Sequence, residues 1–272
     1  MRPTALVTGR VQRDRGAFAR ELAAAGTDLV LVARHADRLE AVRAELTGRC
    51  GVAAEVLAAD LLDPAGRAAV EARLADPARP VDVLVNGAGL LGAVGALALQ
   101  GADDEEVKVA LNVTAVVRLT NAVLPGMVRR GRGRVVNIAS MAAFMPSPGG
   151  ATYSASKAFV TCFSRAVHEE VGPLGVHVTV VCPGATRTAG RAASGSHRSR
   201  MGPLLEPDEV ARRALAAVGA GRPVCVPGGA YRVRAAIARH CPGGVYRRLF
   251  QRGWRERTAR SLTAALTVEA DG

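Results

Sequence analysis

Short β-branched runs alternate along the chain with longer segments whose apolar residues recur every three or four positions. Ala5–Thr8, Leu29–Ala33, Val52–Leu57, Val83–Asn86, Val135–Ala139, Val176–Cys182 and Pro223–Val226 read as strands. Helical spacing marks Ala17–Ala25, Asp37–Leu46, Pro64–Leu74, Asp103–Arg129, Thr152–Val171 and Pro207–Val218, and Gly26, Gly48 and Gly172 are expected to end helices. This alternation predicts parallel strands joined by right-handed crossovers, hence a doubly wound α/β sheet of seven strands with helices on both faces. Ligands bind such a sheet at the carboxyl ends of its strands, so chemistry is expected in the residues just after each strand. The stretch Gly190–Gly202, rich in Ser, Gly and Arg, lacks periodicity and reads as a mobile loop.

With 272 residues and 49% hydrophobic content, the chain suffices for one large core and reads as a single domain. Five cysteines (Cys50, Cys162, Cys182, Cys225 and Cys241) are odd in number and far apart. They suggest neither a disulfide framework nor a metal site, and are expected as small residues in a reduced interior. The N-terminus enters Ala5-Leu6-Val7 without a basic leader, and no later run approaches membrane-spanning length, so a soluble cytoplasmic protein is the expectation. The net charge of +12 comes from 36 basic against 24 acidic residues, and only Lys108 and Lys157 are lysine. Arginine stays charged at any working pH whereas a lysine can be tuned, which draws attention to those two positions.

Lys157 follows Tyr153 in a Tyr-x-x-x-Lys pattern within a predicted helix, and Ser140 follows the preceding strand. Residues four apart share a helix face, so an ammonium can sit beside the phenol. A free tyrosine has a pKa of about 10, and an adjacent positive charge lowers it toward the range useful for proton exchange. A carbonyl that accepts hydride needs a proton at its oxygen and a second hydrogen bond to hold that oxygen as charge builds. Tyr153 and Ser140 fit these roles. Alone, such a pattern is weak and reads more readily as a surface pair, since any helix can carry it.

Further pieces stand in order around it: Thr8-Gly9, Ala33-Arg34 after the second strand, Asp60-Leu61 after the third, Asn86-Gly87-Ala88-Gly89 after the fourth, Asn112 in the long helix, and Pro183-Gly184-Ala185-Thr186-Arg187-Thr188 after the sixth. With Ser140, Tyr153 and Lys157 they make the chain resemble the short-chain dehydrogenase/reductase family, from Thr8 to about Val226. The resemblance implies a Rossmann-like fold and hydride transfer between a nicotinamide cofactor and a small-molecule carbonyl or alcohol. It implies that Asn112 holds a water relaying protons to Lys157, and that Lys157 also binds the nicotinamide ribose. Asp60 and Leu61 would contact adenine, Asn86, Ala88 and Gly89 would line the cofactor floor with Gly9 in the first turn, and Pro183, Gly184, Thr186 and Thr188 would close over the nicotinamide and its phosphates. Gly87 stands where the family usually has a second asparagine. An arginine after the second strand accommodates a 2′-phosphate where an acid would repel it, so Arg34 favours NADP over NAD. Homo-oligomers are implied by the resemblance only. The expected division is 1–228 as dinucleotide-binding and catalytic domain and 229–272 as a basic amphipathic helical extension of it.

One piece departs from the family. Its first turn reads Thr-Gly-x-x-x-Gly-x-Gly, but here the run is Thr8-Gly9-Arg10-Val11-Gln12-Arg13-Asp14-Arg15-Gly16. Arg13 and Arg15 replace glycines that let the backbone meet the pyrophosphate. Each residue from Arg10 to Arg15 is reachable from Ala-Ser-Ser-Gly-Ile-Gly by a one-base shift of frame restored by Ala17. The hypothesis this suggests is a compensated frameshift, in the gene or its recorded sequence. Near the C-terminus, Tyr246, Phe250 and Trp254 recur every four residues beside Leu249, flanked by Arg247, Arg248, Arg252 and Arg255. This basic stripe suits packing over the cleft or a second subunit, or peripheral contact with an anionic membrane; no nucleic-acid reading motif accompanies it. The sequence therefore favours a reductase or dehydrogenase using NADP(H), with a binding or scaffold protein that kept the fold but lost its phosphate loop as the alternative.

Overall fold

In the computed structural model the apolar runs form the centre of one sheet. The structure describes residues 2–9, 16–146, 148–187, 198–199, 202–240, 256, 259–260 and 262–263. β1 (Thr4–Thr8), β2 (Asp28–Ala33), β3 (Ala54–Ala58), β4 (Val83–Asn86), β5 (Gly133–Ile138), β6 (Val176–Val181) and β9 (Val224–Cys225) make a seven-stranded sheet in the order β3-β2-β1-β4-β5-β6-β9. Every pair in it is parallel. The order reverses between β1 and β4, which opens a crevice at their carboxyl ends.

Helices cover both faces. α1 (Ala17–Ala24), α2 (Ala36–Cys50) and α7 (Pro207–Gly219) bury Leu22, Leu39, Leu46 and Val210 with Val7 and Leu31 of the sheet. On the other face α3 (Pro64–Ala75), α5 (Ala115–Arg129) and α6 (Ala151–Val171) bury Val70, Leu119, Val123 and Val167 with Leu6, Leu84 and Val135. β4 takes the centre of the sheet with β1 and β5 on either side, and the apolar runs of β1 and β4 have no polar side to give to water. α3 starts where Asp63 accepts the N–H groups of Ala65 and Gly66 and Pro64 supplies a preset first-turn dihedral.

Several expectations change. α2 passes through Gly48 and stops at Gly51, whose φ of 62° gives the left-handed cap and whose N–H donates to Thr47 O. The long helix is α4 (Ala102–Val109) and α5 joined by a π turn at Ala110–Thr114. Contrary to the sequence reading, Ala102–Arg129 is long and apolar enough to cross a membrane by length and composition. Its apolar residues Ala115, Val116, Leu119, Val123 and Met127 are instead buried against the fold. Within Gly190–Gly202 and the residue after it, β7 (Arg198–Ser199) pairs antiparallel with β8 (Gly202–Pro203), and a bridge from Thr186 to Leu205 brings the two stems of the loop together. Cys162 is exposed on α6 rather than interior, while Cys182 and Cys225 are buried and free. α8 (Gly229–His240) packs through Tyr231 and Ala235. Cys241 and the stripe Tyr246, Phe250 and Trp254 lie outside the described residues.

Candidate active site

The first turns of α6 bring the phenol and the ammonium together at the carboxyl end of the sheet. Lys157 Nζ lies 5.8 Å from the centroid of the Tyr153 ring and donates to Ile138 O at 3.0 Å. Only 4% of Lys157 is exposed, and burial lowers its pKa from 10.5 to about 8, with the Cys182 thiol pulling the other way. An ammonium in that range stays charged at neutral pH yet is close to exchanging its proton. Ser140, the residue after Ala139 at the end of β5, caps a short 3-10 turn by accepting the Ala142 N–H at 3.2 Å. Met141 N–H in turn donates to Pro183 O, tying this turn to the segment after β6.

Asn112 sits in the π turn, fully buried. Its Oδ1 accepts the Leu90 N–H at 2.8 Å, and its Nδ2 donates to Leu90 O at 2.8 Å and Ser156 Oγ at 3.1 Å. Ser156 donates to Tyr153 O, so Asn112 clamps the loop after β4 onto the helix that carries Tyr153. A methyl group added to Gly89 would lie 3.1 Å from Asn112 Oδ1 and 3.3 Å from Lys157 Nζ. Gly89, Asn112 and Lys157 thus meet at one point.

The floor is built by backbone approaching backbone. Gly9, at φ 115°, would place an added methyl 2.8 Å from Gly87 C and 2.9 Å from Ala88 N, a fit only glycine allows. Gly87 is equally confined: a methyl there would lie 2.7 Å from Thr8 O, so the asparagine usual in the family has no room on this backbone. Thr8 Oγ1 donates to Val85 O and accepts the N–H groups of Gly87 and Ala88. Thr8, Asn86 and Asn137 stand side by side in β1, β4 and β5. Beneath the floor Asn86 Nδ2 donates to Asn137 Oδ1 at 2.8 Å and to Thr120 Oγ1, and Asn137 Nδ2 donates to Ser164 Oγ. Asn86 Oδ1 is buried without a donor.

The short chain dehydrogenase family model matches residues 3–199, more than half of the chain. The chain belongs to that family. Sulfoacetaldehyde reductase of Chromohalobacter salexigens is 38% identical over 188 residues, 67% of this chain and 72% of the relative. The NADP-dependent 3-hydroxy acid dehydrogenase YdfG of Salmonella typhi is 37% identical over 182 residues, covering 66% and 71%. Among solved structures, a short-chain dehydrogenase from Sphingobium yanoikuyae in complex with NADPH superposes with a TM-score of 0.78 at 37% identity, covering 92% of this chain and 97% of that one. As a short-chain dehydrogenase the protein is an oxidoreductase whose family acts on small molecules.

Arg34 and Asp60 stand at the ends of β2 and β3, with Arg34 Nη1 3.9 Å from Asp60 Oδ2. Both side chains are more than a third exposed, so water screens the pair and the guanidinium remains open to another anion. Asp60 Oδ1 also caps its own loop at the Leu62 N–H. The Leu61 side chain is buried with Val30, Val32 and Val70, which leaves only its main chain for a ligand. Arg10 to Arg15, with Arg13 and Arg15 among them, and Thr188 lie outside the described residues.

Sequence reading missed the residue that seats Pro183–Thr186. Tyr231, 1% exposed, donates to Pro203 O at 2.9 Å and accepts the Ala185 N–H at 3.1 Å. Gly184 lies under its ring, where an added methyl would come within 2.1 Å of Cζ. Thr186 Oγ1 donates to Gly184 O, and Leu205 exchanges backbone hydrogen bonds with Ala185 and Arg187. The second lysine, Lys108, is buried too and pairs with Glu105, which also takes a hydrogen bond from Thr152 beside Tyr153. The Lys108 ammonium, and after it the Thr152 hydroxyl, hold Glu105 below the usual carboxylate range. The Thr152 bond to Glu105 pins α4 to the first turn of α6.

Proposed function

We propose that the protein is an NADP(H)-dependent oxidoreductase that interconverts a carbonyl and an alcohol, with Tyr153 as proton donor and acceptor. The observation that carries this reading is the buried Lys157 ammonium, fixed on Ile138 O and 5.8 Å from the Tyr153 ring, at the ligand-binding end of the sheet. The described residues suit a dinucleotide: Gly9 lets the turn after β1 close onto the Gly87-Ala88 backbone, Gly89 lets the loop after β4 lie close to Asn112 and Lys157, and Arg34 stands where an acid would repel a 2′-phosphate. Bound NADPH would supply the hydride. In the direction of reduction Tyr153 gives its hydroxyl proton to the carbonyl oxygen, and the Ser140 hydroxyl donates a hydrogen bond to that oxygen as charge builds on it. Lys157 stabilises the phenolate left behind and, with a pKa of about 8, returns a proton to it. Asn112 keeps the loop after β4 registered on this helix through Leu90 and Ser156.

NADP as the preferred cofactor rests on Arg34 and on likeness to an NADPH-bound dehydrogenase and an NADP-dependent one. A second reading, a fold retained for binding after its phosphate loop was lost, rests on Arg13 and Arg15. Titrating the protein into NADPH while following nicotinamide fluorescence separates them: saturation supports the oxidoreductase, and no change supports the other. Tyr153→Phe should then abolish carbonyl reduction while leaving NADPH affinity nearly unchanged. Substantial residual turnover by that variant would remove Tyr153 from its role.

A further inference from the structure

The rim of the site carries a cation for which the proton-transfer scheme has no use. Tyr231, Ala235 and Arg239 recur every four residues in α8, so Arg239 continues the helix face that packs on the body. Tyr231 and Ala235 are buried, and Arg239 emerges one turn later with its guanidinium carbon 4.5 Å from the Phe144 ring centroid. Phe144 stands four residues beyond Ser140 and packs on the cluster of Ala139, Val160 and Cys182. This brings Arg239 over the carboxyl ends of β5 and β6. Two facts support that location. The positive field of Arg239 is felt at the Cys182 thiol, and the same sulfur accepts the Ser140 N–H; burial nonetheless raises that thiol to about 11. Among the described residues, α8 holds Arg232, Arg234, Arg239 and His240 and no acid, and no carboxylate forms an ion pair with Arg239.

A guanidinium held over an aromatic ring, with no carboxylate paired to it among the described residues, can offer its fork to a carboxylate or sulfonate through two parallel hydrogen bonds. Resting on the reductase reading above, we propose that Arg239, seated on Phe144, is a substrate-specificity residue. Its substrates are small carbonyl compounds that also carry an acid group. Tyr231 anchors the helix that presents this cation, so one face of α8 serves both the segment after β6 and the substrate rim. A neutral substrate of the same shape gains nothing from Arg239, which makes the idea separable from the chemistry at Tyr153.

The test compares a panel of aldehydes and ketones, aliphatic and aryl, each offered as the free acid and as its methyl ester, with NADPH oxidation as the readout. Wild-type protein should favour the acid over its ester in kcat/KM by about tenfold, about 1.4 kcal/mol. Arg239→Gln should lose most of that preference, with ester turnover changed less than about twofold and NADPH affinity by fluorescence unchanged, since the residue touches neither Tyr153 nor the cofactor floor. Arg239→Lys should recover part of the preference, because charge returns without the planar fork. An acid-to-ester ratio that Arg239→Gln leaves at the wild-type value overturns the proposal, as does a wild-type preference for the esters; both outcomes leave the reductase reading standing. Failure of wild-type protein to turn over either member of any pair overturns the reductase reading and this proposal together.

Discussion

Replacing Lys157 by methionine should make the cofactor-free fold more stable while leaving the enzyme inactive. Lys157 pays for its position with solvation: burial takes its pKa from 10.5 to about 8. At about 1.36 kcal/mol per pH unit, this depression amounts to about 3 kcal/mol of destabilisation at neutral pH. The sign follows from proton binding. Between pH 8 and 10.5 the unfolded chain holds more protons on this lysine than the folded one, so stability rises with pH across that window, and below pH 8 the whole penalty is present. Methionine has similar length and no charge to desolvate, but it leaves Ile138 O without the Lys157 donor, a loss of about 1 kcal/mol. The variant should therefore be more stable by about 2 kcal/mol at pH 7, and the difference should shrink to about zero near pH 10. Urea denaturation of both proteins at the two pH values measures it, provided the transitions share one slope. A variant less stable than wild type at pH 7, or an advantage of the same size at pH 10, would refute the reasoning.

Other perturbations test separate parts of the site. Arg34→Asp should weaken NADPH far more than NADH in fluorescence titrations; equal losses would mean that Arg34 does not meet a 2′-phosphate. Lys157→Arg keeps the charge but not the compact ammonium, so kcat should fall steeply, and wild-type rates would show that Ile138 O and Tyr153 do not require it. Gly184→Ala forces a methyl to 2.1 Å from the Tyr231 ring, so it should lower both the melting temperature and NADPH affinity, and a companion Tyr231→Phe, losing only two hydrogen bonds, should cost about 1–3 kcal/mol. Rewriting positions 10 to 15 as Ala-Ser-Ser-Gly-Ile-Gly should tighten NADPH by at least about tenfold; equal affinity in a chain whose gene encodes Arg13 and Arg15 would show that the steric argument fails.

The sheet was legible because its strands are short runs rich in apolar and β-branched residues, and only their ends shifted: β5 begins at Gly133, before Val135. Helix ends were harder. Gly48 and Gly51 are alike in sequence, and only the chain's turn into β3 decides which one adopts the left-handed cap. Ser140, Tyr153 and Lys157 stood out through their order and spacing, but the depth of Lys157 and its bond to Ile138 O depend on strand and helix meeting in space. Asn137 left a faint signal, an amide inside the buried run Val135-Val136-Asn137-Ile138, which the strand reading passed over. Tyr231 left none: a tyrosine shortly after two glycines has no local signature, and its partner Ala185 is 46 residues away.

The arrangement around that tyrosine bears on how such a protein diversifies. One phenol holds both stems of the segment between Arg187 and Gly202, through Ala185 on one side and Pro203 on the other. The backbone pairing of Leu205 with Ala185 and Arg187 closes the same neck. Sequence changes beyond the neck then transmit no strain through it to Pro183 and Gly184. On the reading proposed above, substrate choice could be reworked beyond that neck while hydride chemistry stays fixed, with the tyrosine as the joint between the two.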